Sequence, residues 1–270
     1  MGSATTVRTA RFGKMELRLV EQGSRLFGLA NGAVVVEGDA GAEDDLWRRL
    51  HDRAGQDDAK YFGFDGARGR FLLFFPGGFA SDHYVLQERA YKAAAKACLD
   101  AILPVEAAVS GEGVGAAALA AFHATDLLSP FEKMRVDDVL KSARADAFVQ
   151  AAARFTLEGG RAALAAMDGA LEPDGADKWT VATYLPFLWR PDTHLFLKPD
   201  STRDFAERVG HPFPSRYEAS LHLSVYDSLL DLARVTMAEL APLQPRDHID
   251  LQSFIWVVGA YKTGQDEAAG

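Results

Sequence analysis

Three groups of side chains in this sequence have the charge and spacing from which a binding or reactive site could be assembled. Arg89, Lys92 and Lys96 recur at intervals of three and four, which puts all three on one face of a helix. Arg68 and Arg70 stand earlier in the chain, next to Phe71. Guanidinium and ammonium groups can contact phosphates while an exposed ring stacks on a base, so these five cations predict a local nucleic-acid face. The second group is Lys198 and Arg203, at the start of a helix predicted over 202–209, where cations and free amides together suit an anion.

The third group is Arg246, Asp247, Asp250 and Gln252, which enter the densest apolar run of the C-terminal half, Pro245 to Val258. Pro245 must stop the preceding helix, because it has no N–H and biases Gln244 away from helical φ/ψ. Asp247 or Asp250 can then cap the next helix, with its charge at the favourable end of the macrodipole. Ile249, Phe254, Ile255, Val257 and Val258 cover so much of that helix that it belongs in the core, with Trp256 largely inaccessible. Polar residues on such a helix need hydrogen-bond partners, so they mark a capped core helix or a pocket at its N-terminus.

Metal and nucleophilic chemistry has less to draw on. None of the histidines (51, 83, 123, 194, 211, 222, 248) has the H-x-x-x-H or H-E-x-x-H spacing of a helix-borne zinc site. Cys98 is the single cysteine, which excludes an intrachain disulfide and a multi-thiolate zinc centre; its alanine-rich setting predicts an inert, packed thiol. No metal and no cofactor are expected. The acidic series Glu37, Asp39, Glu43, Asp44 and Asp45 lacks the alternating ligands and bidentate glutamate of a calcium loop. There is no G-x-S-x-G elbow, and Gly111 to Gly115 lacks the strand and the lysine–hydroxyl pair of a phosphate loop. Glu37, Asp39 and Lys60 could form the carboxylate–lysine core of a metal-dependent nuclease, and that hydrolase is the alternative reading.

The elements that must hold these groups change character along the chain. Met15 to Val20 alternates with period two, and Asn31-Gly32 is a turn before a strand at 33–36. An acidic loop leads to a helix over 45–54, and the aromatic runs 61–64 and 70–75 around Asp65 to Gly69 predict a hairpin. Ser81 or Asp82 caps a helix to about Leu103, and Pro104 closes it. From Ala116 on the pattern is helical, with Ser129-Pro130 opening one helix and Gly159-Gly160 closing another. The expected fold is α+β: a sheet-bearing N-terminal lobe over 1–107, packed on a larger all-helical lobe over 108–262, with a frayed tail at 263–270.

Composition bounds the function. The hydrophobic fraction is 48% and the charged fraction 25%, the balance of an ordinary globular chain. The net charge of −9 excludes a strongly basic nucleic-acid-binding domain, although acids and bases balance over the first hundred residues, where the cationic face is predicted. No apolar run of about 18 residues occurs and no secretory signal is visible, so neither a membrane span nor export is expected. Together these features predict a cytoplasmic, non-catalytic binding or interaction protein, whose partner is a protein or a nucleic acid.

Overall fold

The computed structural model describes residues 4–12, 15–55 and 63–261, so Lys60 and the tail from 262 on lie outside the described residues. The fold is α+β, with a small antiparallel sheet followed by a larger helical part. Contacts divide the chain into two compact units, Met1–Arg70 with Arg203–Tyr217, and Phe71–Thr202 with Glu218–Gly270.

In the first unit, β1 (Thr5–Phe12), β2 (Met15–Gln22), β3 (Arg25–Ala30) and β4 (Ala33–Asp39) form an up-and-down sheet in sequence order. The predicted segments 15–20 and 33–36 lie inside β2 and β4. The acidic loop expected from Glu37 instead continues as strand to Asp39. Alternation sends Leu17 and Leu19 to one face, where Leu26 joins them under α1 (Glu43–Gly55) through its Leu46 and Leu50. Each of these leucines is fully or almost fully buried, worth about 1.5–3 kcal/mol apiece. The helix comes close because β3 has no side chain at Gly28: a Cβ there would stand 3.3 Å from Leu50 and 2.5 Å from Val36. Asn31 and Gly32, with φ of 47° and 83°, make the two-residue turn between β3 and β4.

The hairpin predicted over 61–75 is not formed where the chain is described; Gly63–Phe74 is a helix, α2. Its apolar residues recur every four positions rather than every two. Ala67, Phe71 and, just past its end, Phe75 are buried, and Gly69 falls on the exposed side.

The helical unit continues with α3 (Asp82–Tyr84), a π-helical turn (Val85–Arg89) and α4 (Ala90–Ile102). Then follow α5 (Val105–Ala108), α6 (Val114–His123), α7 (Pro130–Leu140), α8 (Ala145–Glu158), α9 (Arg161–Leu171) and α10 (Trp179–Trp189). The chain ends with α11 (Pro199–Arg208), α12 (Phe213–Arg216), α13 (Leu223–Glu239) and α14 (His248–Ala260). All eleven residues of α10 are buried, the mark of a helix that is apolar all round. Its polar side chains bond to distant backbone: Trp179 Nε1 donates to the Glu218 carbonyl, Trp189 Nε1 to Leu103 and Tyr184 Oη to Ala121. Pro186 sits inside this helix. Cys98, expected to be packed, is exposed on α4. Among the described residues no helix is long and apolar enough to cross a membrane.

Candidate functional site

Asp247 caps α14, its carboxylate accepting from the amides of Ile249 and Asp250, so the helix starts on an aspartate as its sequence requires. Asp250 follows in the first turn with no exposure at all. Its carboxylate accepts from Tyr84 Oη at 2.7 Å, Arg89 Nη1 at 2.9 Å, and the Arg246 amide and Nε, both at 2.8 Å. Arg89 also makes a bidentate pair with Asp247, both bonds at 2.7 Å. That hydrogen bond, with the charges of both aspartates, raises the Arg89 pKa against the cost of burial. Burial acts to raise Asp247 as well, but Arg89 and the two capping amides outweigh it and hold the carboxyl below its ordinary value. The π turn explains how Tyr84 and Arg89, five residues apart, both reach Asp250: five residues close one π turn, as four nearly do in an α-helix.

One turn further, Lys92 Nζ donates to Glu88 Oε2 at 3.0 Å and to Ser253 Oγ at 2.8 Å, and Tyr261 Oη donates to Glu88 Oε1 at 2.6 Å. Lys92 and Ser253 have zero exposure, and burial pushes the Lys92 amine down despite the Glu88 charge. Lys96 bonds Asp100 at 2.6 Å and is partly buried. Arg89, Lys92 and Lys96 thus do share a face, but the face expected to meet solvent is turned inward. Arg246 lies 5.9 Å over the Tyr84 ring and bonds the Phe79 carbonyl. Gln252 is buried, and its Oε1 meets no donor among the described residues. Arg68 pairs with Asp65 within α2, Arg70 is half-buried, and Arg203 lies 5.3 Å over the Tyr217 ring in the first unit. Glu37, one carboxylate of the alternative reading, pairs with Arg25 on the sheet, and Asp39 is exposed at the end of β4.

A cleft of about 580 Å³ opens in the helical unit, within the range of small-molecule sites. Its walls come from the start of α7 (Ser129, Phe131, Glu132, Arg135), the turn into α10 (Ala176, Lys178, Thr180, Val181), Lys198 with the start of α11, and Trp256 of α14. Ser129 and Glu132 form a reciprocal capping box. Glu132 accepts from the Ser129 amide through one oxygen and from the Thr180 hydroxyl through the other. Burial works to raise Glu132, but these bonds and the Lys198 charge hold it below its ordinary value. Lys198 Nζ stands 4.5 Å from the Trp256 ring centroid, a cation–π distance. Trp256, expected to be inaccessible, is half-exposed here. Phe131 is 76% exposed at the rim, and Met134, one turn on, is 55% exposed.

Of the residues singled out from sequence, only Lys198 lines this cleft. Glu132, Arg135, Thr180 and the Trp256 ring as a ligand surface were not anticipated, and the Ser129-x-x-Glu132 pattern is the one sequence signal that touches it. Comparison of the chain with protein-family models, with curated proteins and with solved structures finds no match.

Proposed function

We propose that this protein is a cytoplasmic, non-catalytic binding protein, and that the cleft bounded by α7, α10, α11 and α14 is its recognition site. The observation that carries the reading is Lys198, whose ammonium rests on the Trp256 ring with no hydrogen bond or ion pair among the described residues. Its charge is met by the Trp256 ring and by the nearby Glu132, but its three N–H donors stay available for something that arrives.

The reactive-looking groups favour binding over catalysis. An amine bonded to a serine hydroxyl is the pairing that activates serine in Ser–Lys hydrolases, and Lys92 with Ser253 has that distance. Both are fully buried, so no substrate reaches them. The single cysteine, unpaired and exposed, supports a reducing compartment.

The test is a photo-reactive benzoylphenylalanine placed at Phe131 in the native host, with the same group at Arg234, an exposed position on α13, as reference. An adduct in the intact mass that forms at 131 and not at 234 supports the reading, and nuclease or protease treatment tells a nucleic acid from a protein or small molecule. Equal labelling at both positions, or none at 131, contradicts it.

A further inference from the structure

The chemistry of the occupant follows from what the cleft has left unspent, and the inference rests on the reading that the cleft is the recognition site. The acceptors are largely used: both Glu132 oxygens are engaged by Ser129 and Thr180. The donors are not. Lys198 Nζ has no acceptor among the described residues, and neither has the indole N–H of Trp256. Among the described residues Arg135 commits only Nη1, to the Gly175 carbonyl, and keeps the rest of its fork. The amides of Asp200 and Ser201 lie in the first turn of α11, where N–H groups have no carbonyl within the helix. A site with spare donors and few spare acceptors selects an acceptor-rich ligand.

Charge narrows this further. The lining sets Arg135 and Lys198 against Glu132 and Asp200, while Lys178 is paired with Asp177 at 3.5 Å. A ligand carboxylate adds one negative charge to this balance; a doubly charged phosphate group adds two beside two fixed carboxylates. Shape supplies the other half. The Trp256 ring, with Lys198 over its face, joins Phe131, Val181 and Pro199 in an apolar wall. We propose that the cleft binds a small planar monoanion, an aryl carboxylate, with the carboxylate on Lys198 and its ring against Trp256.

The probes are 1-naphthoate, the neutral 1-naphthamide and the dianionic 1-naphthyl phosphate, titrated calorimetrically into the full chain. The carboxylate is expected to bind at least tenfold more tightly than either of the others. Lys198→Met, which keeps the stem and removes the charge, should weaken naphthoate by roughly tenfold or more, the scale of one charge-assisted hydrogen bond. Naphthamide should be almost unaffected, and Lys198→Arg should restore the carboxylate preference. Equal affinity for naphthoate and naphthamide, tighter binding of the phosphate, no naphthoate binding at millimolar concentration, or indifference to Lys198→Met in a folded variant each overturns the proposal. If the Phe131 adduct forms while naphthoate fails, the cleft remains the recognition site and the aryl carboxylate is wrong. If both fail, the cleft itself is wrong.

Discussion

The buried pair Glu88–Lys92 makes a quantitative prediction. Replacing Lys92 by Met keeps the aliphatic stem and removes the ammonium, leaving the Glu88 carboxylate almost wholly buried with, among the described residues, only the Tyr261 hydroxyl donating to it. An ion stranded in this way costs about 3–5 kcal/mol. Replacing Glu88 by Gln strands the ammonium instead, but a buried lysine can shed its proton. At about 1.4 kcal/mol per pKa unit, neutralising near pH 7 a group that ordinarily titrates near 10.5 caps that cost at about 5 kcal/mol. The double variant Glu88→Gln with Lys92→Met buries no charge, and the amide can still accept from Tyr261. It should cost no more than about 2 kcal/mol, so the cycle should give a coupling of at least about 1 kcal/mol from the Lys92→Met cost alone, and more by whatever Glu88→Gln costs. Urea unfolding of the four proteins, followed by circular dichroism, measures it. Additive single costs, or single variants within 1 kcal/mol of the parent, would refute the reasoning that these residues neutralise each other inside the fold.

Three further outcomes follow from the packing. Arg89→Glu combined with Lys92→Glu should prevent folding at 37 °C, because it faces Asp247, Asp250 and Glu88 with two more carboxylates; a cooperative melt near the parent temperature would contradict the inward face. Gly115→Ala should destabilise by about 1–3 kcal/mol, although alanine is the better helix former, because its Cβ would stand 2.3 Å from that of Ala145. His51 has its pKa lowered to about 4, first by burial, then by the His211 charge, against a Gly210 backbone bond that raises it. Below its ordinary value of 6.5 the unfolded chain takes a proton that the folded first unit refuses. Stability should therefore fall as pH drops from 6.5 to 4, by on the order of 3 kcal/mol, and His51→Gln should flatten that slope in chemical denaturation at stepped pH.

Much of the scaffold was legible because its signals are local. The Asp247 cap, the Ser129-Pro130-x-Glu132 start and the Asn31-Gly32 turn each act within four residues and formed as expected, whereas α13 ends at Glu239, short of the Pro245 stop. Strands β1 and β3 were missed, since β1 has no apolar alternation and β3 is interrupted by Gly28. The glycines at 63–74 suggest a hairpin turn, but Ala67, Phe71 and Phe75 recur every four residues, the period of the helix that forms. On the 82–102 segment the spacing of Arg89, Lys92 and Lys96 was right and the side was inverted. Charges were assigned to solvent, but Asp247, Asp250 and Ser253 lie more than 150 residues away in sequence, and alanines took the outer positions. The cleft draws its walls from four separate stretches, so only Lys198, at a predicted helix start, could be marked in advance.

The most direct test of the cleft is the indole N–H resonance of Trp256 in a spectrum that contains four tryptophans, assigned by Trp256→Phe. On addition of 1-naphthoate the Trp256 resonance should shift progressively and saturate. Those of Trp179 and Trp189, buried and bonded to the carbonyls of Glu218 and Leu103, should stay in place. A Trp256 resonance that does not move, or that moves no more than those two, would contradict the account.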